Sequence, residues 1–421
     1  MPLLIFFRLV QGVGGASLLP LVTTLIFAEF PPQERGTATG ALGIPVLLAP
    51  ALGPTIGGYI VTTIGWPLIF YLNVPIGIVG LLMAFFFLRE SQSGGSGPFD
   101  LPGFLFSSIG FSAILYGLSN VSQDGWGSTL VLGFLTGGVL ALVIFVVAEL
   151  LTAHDGDEPL LDLRLFANRT YSIGTLAFIL VTICLQGGLF LVPLYLQNLR
   201  SQTAYEAGII LLPQAFGSMV ATIVGGQFVD RLGVKAVVIP GLLVLTFASW
   251  SLAAISLDTP FAQYQLLLIL RGFSIGLAIQ PLTVGLLSNI KPKDLSQANS
   301  LNAVIRSLAG STAVTVLSQL VTTQTSVHFA HLAEQVTATS PTAQVIQQLQ
   351  AAMTPLASST QQAYATAIQQ IGNQLTRQAT MLAQDDVFFY MTVMAVVAII
   401  FVALIPIPKV APGGGRSTIS E

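Results

Sequence analysis

Long apolar stretches broken by short polar loops dominate the chain. Eleven are long enough to cross a hydrocarbon core of roughly 30 Å: residues 3–27, 38–62, 66–88, 101–122, 129–151, 171–196, 207–229, 234–256, 262–289, 297–322 and 386–406. Gly and Pro recur inside them, which membrane helices tolerate because neighbouring helices re-satisfy the backbone. The predicted class is an all-α membrane protein. Between Thr323 and Asp385 the pattern changes, and Gln, Ala, Ser and Thr predominate. There Tyr364, Ile368, Ile371, Leu375, Ala379 and Leu382 follow the 3–4 residue spacing of an amphipathic helix. Val345, Ile346, Leu349 and Met353 begin a second stripe that breaks near Pro355. The expected element is a helical hairpin above the outer membrane face, either self-packed or disordered, or docked onto a periplasmic adaptor.

Charge placement orients the segments. Arg35, Arg89, Arg164, Arg169, Arg231, Lys235, Lys291, Lys293, Lys409 and Arg416 fall in one set of loops, and only Arg200 and Arg377 in the other. The basic-rich side is cytoplasmic, so the amino terminus is expected outside and the carboxyl terminus inside. Charged residues make up 8% of the chain, against about 25% in soluble domains. A single cysteine, Cys184, excludes a disulfide framework and any multi-cysteine metal site. With three histidines, two of them (His328 and His331) in one outer loop, no catalytic or metal cluster is expected. No enzyme activity, cofactor or nucleic-acid partner is implied.

An internal repeat organises the chain. Pro32-x-Glu34-x-Gly36-x-Ala38 returns as Pro292-x-Asp294-x-Ser296-x-Ala298, each after an apolar segment carrying one arginine, Arg8 or Arg271. Such duplication suggests two homologous bundles facing each other across a transport pathway. The copies lie eight helices apart, where a two-times-six-helix transporter would place them six apart. The simplest reading inserts 101–122 and 129–151 between the bundles. The expected domains are a partial three-helix bundle (1–90), the inserted pair with its linkers (91–165), a six-helix bundle (166–408) containing the outer hairpin 323–385, and a tail (409–421). By repeat symmetry the first bundle lacks three helices, and the chain is expected to be a fragment.

Three motifs carry a family resemblance. They are Arg8-Leu-Val-Gln11-Gly12-Val-Gly14, Ala49-x-x-x-Gly53-Pro54-x-x-Gly57-Gly58-x-Ile60, and Gly226-x-x-x-Asp230-Arg231-x-Gly233. Together with the inserted pair they resemble the major facilitator superfamily, and within it the fourteen-helix drug:proton antiporters of the EmrB/QacA type. The second motif resembles that branch's antiporter motif, and the third resembles a superfamily loop motif at the cytoplasmic gate. The resemblance implies export of amphipathic drug-like molecules by proton antiport and alternating access, in the inner membrane. A periplasmic membrane-fusion adaptor is a candidate partner through 323–385. A non-transporting remnant or scaffold, and a facilitator for uptake of a small solute, remain open.

The residues also have direct physical readings. Gly53 and Gly57 form a small-xxx-small face suited to close helix approach, and Pro50 and Pro54 bend the segment. Asp230 and Arg231 are placed to latch the cytoplasmic gate by an ion pair or a helix-terminus contact. Arg8, Arg271 and Arg306 fall deep in apolar segments, where each costs roughly 2.5–3.5 kcal/mol and must face the interior or a wet cavity. Gln11, Gln186, Gln214 and Gln280 are polar candidates along the pathway, and Phe178, Phe190, Tyr195 and Phe216 an apolar lining. No Asp or Glu is expected mid-helix, so no proton-carrying carboxylate is assigned.

Overall fold

The structure, a computed structural model, describes residues 2–31, 33–88, 100–155, 161–288, 290–291, 294–336 and 360–406. Every regular element in them is helical. The first apolar stretch forms α1 (Pro2–Ala16) and α2 (Leu18–Glu29), with Pro20 in the first turn of α2, where its missing N–H is tolerated. Next come α3 (Arg35–Thr63), the short α4 (Leu68–Tyr71), α5 (Asn73–Phe87), α6 (Leu101–Asp124) and α7 (Thr129–Asp155). A 3₁₀ turn, Leu163–Ala167, leads into α8 (Arg169–Leu194), which runs on as a π turn at Tyr195–Leu199. The chain then forms α9 (Ala204–Leu232), α10 (Val234–Leu252), α11 (Phe261–Leu287), α12 (Leu295–Glu334) and α13 (Thr360–Leu404).

Local chemistry fixes many of these ends. The Asp100 carboxylate accepts the Gly103 N–H at 2.9 Å to start α6, and Asn168 accepts from Thr170 N–H at 3.0 Å to start α8. Thr203 and Glu206 form a reciprocal capping box on α9. Gly233, with φ +84°, ends α9 and opens α10, a left-handed conformation that glycine adopts without penalty.

Ten helical stretches among the described residues are long and apolar enough to cross a membrane. The eleventh expected segment, 38–62, lies in α3, whose 29 residues are punctuated by Gly and Pro. In the outer region α12 extends beyond its apolar span to Glu334, and the expected stripe from Tyr364 to Leu382 is helical, continuous with the last spanning segment in the 45-residue α13. At 1.5 Å per residue α13 is roughly 67 Å long, over twice the hydrocarbon thickness. Val345, Ile346, Leu349, Met353 and Pro355 lie outside the described residues. In the outer part of α13, 360–383, the buried positions are Ala367, Ile371, Ala379, Met381 and Ala383, whereas Tyr364, Ile368 and Leu382 are exposed. This arm meets the bundle through those positions, and Arg377 fixes it by donating to the Leu199 carbonyl at the end of the π turn. Continuity also places Asp385 and Asp386 mid-helix, contrary to expectation, with Asp386 paired to His328 of α12 at 2.7 Å.

Helices α8–α13 pack together around fully buried Tyr171, Phe178, Tyr195, Leu245, Tyr264, Leu268 and Phe388. In lipid such a bundle is held by close packing and satisfied polar groups more than by apolar burial. The phenol of Tyr171 donates to Ala298 O and that of Tyr195 to Ser256 O, both at 3.1 Å. Helices α2 and α3 pack against this bundle through α12, α9 and α11, and the α6–α7 pair leans on α12.

Candidate transport cavity and gate

Helix α3 runs antiparallel along α9 for most of its length. Gly36 and Gly40 lie against Gly226 and the Thr222 carbonyl near one end, and Gly58 against Ala204 near the other. A methyl on Gly40 would sit 2.9 Å from Thr222 O, so a larger side chain would force the helices apart. Gly53 and Gly57 do not make this contact: a Cβ on either would meet nothing within 4 Å. At about 100° per residue they lie well round the helix from Gly36, Gly40 and Gly58. Of the antiporter motif, Gly58 is at the contact with α9, while Pro54 takes part as a backbone position within α3.

The end of this helix pair predicted to face the cytoplasm carries a specific lock. The Asp230 carboxylate, near the end of α9, accepts the Gly36 and Thr37 N–H groups at 2.9 Å each and the Thr37 hydroxyl at 2.7 Å. It thereby caps α3 in trans, supplying negative charge to otherwise unpaired N–H donors and to the positive end of the helix dipole. Glu34, at the N-cap position of α3 itself, makes no side-chain cap. Gly36 fits the arrangement because a Cβ there would fall on Asp230 and on the Gly226 carbonyl. Arg231 points to solvent and does not share in the contact, while Gly233 supplies the chain reversal that follows.

Between the two sets of helices lies a cavity of about 710 Å³. Gly15, Pro20 and Thr23 of α1–α2 and Leu42 and Val46 of α3 form one wall. Phe178, Thr182 and Gln186 of α8, Gln280 and Thr283 of α11, and Asn299, Asn302, Arg306, Ser307 and Ser311 of α12 form the other. Its volume is within the range that encloses a drug-sized molecule. Towards the ends of α2 and α12 predicted to be cytoplasmic, Asn299 donates to the Thr24 hydroxyl at 3.2 Å, crossing from one wall to the other.

The predicted pathway residues therefore divide. Gln186, Gln280 and Arg306 line the cavity. Arg271 does not: it is fully buried inside the second bundle, donates to the Cys184 carbonyl and fills the space beside Gly188. Arg8 and Gln11 bond to each other at 3.1 Å on an exposed face of α1, with Arg8 also 4.7 Å over the Phe70 ring. Gln214 is buried against Gly272, Tyr195 is core and Phe216 is exposed, so of the four aromatics singled out Phe178 reaches the cavity. Sequence reasoning missed Asn299, Asn302, Ser307 and Ser311. Their signal was spacing, because Asn299, Asn302, Arg306 and Gly310 recur every three to four residues and share one face of α12.

Two sets of helices enclosing a polar-lined cavity, with ten apolar spanning stretches among the described residues, define a multi-pass membrane protein. The chain belongs to the Major Facilitator Superfamily, whose profile matches residues 1–314. It is 33% identical over 79% of its length to YhcA, an uncharacterised MFS-type transporter of Bacillus subtilis, and that match spans 62% of YhcA. The lincomycin resistance protein LmrB of Listeria innocua is 30% identical over 74% of this chain and 66% of its own length. The multidrug export protein EmrB of Escherichia coli is 29% identical over 98% of this chain and 79% of its own length. These relatives are named as transporters and resistance proteins, not as enzymes.

Proposed function

We propose that the chain exports amphipathic drug-like molecules across the cytoplasmic (inner) membrane by alternating access coupled to proton antiport, as a member of the EmrB/QacA-type branch. The observation that carries this reading is the cavity walled by both bundles, flanked by a cap that one bundle places on the other. Opening the cavity towards the cytoplasm would require the Asp230 carboxylate to leave the α3 N-terminus, so the cap is the natural cytoplasmic latch. The names of LmrB and EmrB favour drugs as cargo. Within this reading Gln186, Gln280 and Arg306 contact cargo, whereas Arg271 stabilises the bundle. Arg8 and Gln11 lie outside the cargo contact, and the antiporter-motif helix is the structural rail along which α9 packs. The outer arms of α12 and α13, within 323–385, are the proposed seat of a periplasmic membrane-fusion adaptor.

The test is transport by the purified chain in liposomes carrying an imposed pH gradient. The expected result is gradient-dependent movement of a fluorescent amphiphile, accompanied by proton counterflow and abolished by an uncoupler. Movement that persists unchanged with the gradient collapsed would leave a facilitator and remove antiport. No movement in either direction would remove transport by this chain.

A further inference from the structure

The charge of the cavity goes beyond general drug export, and rests on the reading that this cavity holds the cargo. Arg306 is the one charged side chain among the lining residues described, and no carboxylate lines the cavity with it. Its surroundings differ from those of the other arginines set into the fold. Arg35 donates to the Phe27 and Phe30 carbonyls, Arg200 to Thr259 O, Arg271 to Cys184 O and Arg377 to Leu199 O. Those arginines are anchored on backbone carbonyls. The half-buried Arg306 guanidinium has no hydrogen bond or ion pair among the described residues.

A guanidinium presents five N–H donors in a planar fork and keeps its charge at any physiological pH. Half-buried in the cavity wall, it attracts an anion more strongly than it would in bulk solvent. The same field repels a cation, which finds no compensating carboxylate among the lining residues. Gln186 and Gln280 have no side-chain hydrogen bond among the described residues and remain available to the neutral polar atoms of a ligand. Phe178 offers an apolar face.

We propose that Arg306 is an anion subsite, and that the cavity selects amphipathic molecules bearing a single negative charge, such as a carboxylate, sulfonate or acidic phenol, over lipophilic cations of the same size.

The test uses two probes of matched shape and opposite charge, tetraphenylborate and tetraphenylphosphonium. Their binding to the full chain in a neutral maltoside detergent is measured by equilibrium dialysis. Tetraphenylborate is expected to bind at least about ten-fold tighter, a difference of about 1.4 kcal/mol. Arg306→Gln should bring the two ions to within about two-fold, and Arg306→Lys should keep most of the preference. A cavity-filling variant, Gly310→Phe, should weaken both ions, because Gly310 lies on the lining against Gln186. Equal or tighter binding of the phosphonium by the native chain, or an unchanged ratio in Arg306→Gln, would overturn the anion subsite. If Gly310→Phe still blocked both ions, the cargo cavity would stand without it. Failure of the folded native chain to bind either ion would overturn the subsite and the cargo cavity together.

Discussion

Removing the Asp230 carboxylate should unlatch the cytoplasmic ends of α3 and α9. The side chain accepts three hydrogen bonds, two of them from backbone N–H groups at the start of α3. Loss of an N-cap acceptor costs about 1 kcal/mol, and loss of a negative charge at a partly buried helix N-terminus costs roughly as much again. For Asp230→Ala the sum of about 2 kcal/mol changes the closed-to-open ratio by a factor of about 30. Asp230→Asn keeps one acceptor oxygen and loses the charge, so about 1 kcal/mol and a factor of about five are expected. Spin labels at Gln33 and Leu232, both exposed, would report the separation by pulsed electron resonance, since the native Cys184 is buried and slow to label. The longer-distance population should rise from native through Asn to Ala. Gly226→Val is the companion variant, because a Cβ there would strike the Gly36 carbonyl and wedge the helices apart. If Gly226→Val opens the pair and Asp230→Ala leaves the distances unchanged, close packing holds the gate and the cap does not.

Three further outcomes are expected. Arg377→Ala should lower the midpoint of thermal unfolding in detergent, since a hydrogen bond from a charged group contributes about 1.5–3 kcal/mol; exposed Arg169→Ala should stay within about 0.5 kcal/mol of native, and equal effects would sink the role given to the Leu199 contact. In intact cells a membrane-impermeant maleimide should label Gln123→Cys and spare Gln33→Cys, and the reverse pattern would invert the topology. Gly188→Ala should reduce the yield of folded protein, because a methyl there falls on the Arg271 guanidinium; normal yield and stability would show that the buried arginine can swing aside.

The spanning segments were legible because an apolar run of about 20 residues matches the thickness of a bilayer and little else in a folded chain. Continuity at their polar ends was not, since hydropathy reports where a helix leaves lipid and is silent on where it stops. Gln, Ala and Leu are good helix formers in water as well, so α13 continues through Gln384, Asp385 and Asp386 without interruption. That continuity is why Asp385 and Asp386, expected at the boundary between the outer hairpin and the last span, lie inside a helix. The cavity was read in part for a similar reason. Gln186 and Gln280 stand out in apolar surroundings, whereas Asn299 and Asn302 lie near the polar start of α12, where an amide attracts no notice. Arg8 and Arg271 stand out just as clearly as Arg306. A charge in an apolar run says that some partner or opening is needed, and only the fold distinguishes a carbonyl, a neighbouring glutamine and a cavity.

The two copies of the repeated loop show how far sequence symmetry reaches into mechanism. Both open a helix that faces the opposite bundle, α3 after the first copy and α12 after the second. In the first, Gly36 leaves room for Asp230 to approach, and the carboxylate of the second bundle takes the N-terminus of the first. In the second, Ser296 stands where the glycine would be, and Asp294 makes no side-chain cap on α12. The crossing contact near that end is instead the neutral bond between Asn299 and Thr24, one turn further along. A hydrogen bond between uncharged side chains contributes about 0.5–1.5 kcal/mol, less than a carboxylate holding three donors at a helix end. Under the proposed alternating-access reading the latch is asymmetric among the described residues: the α3–α9 side is expected to bear most of the energy of closure, and the α2–α12 side, on the wall that carries Arg306, is the weaker flank of the cavity.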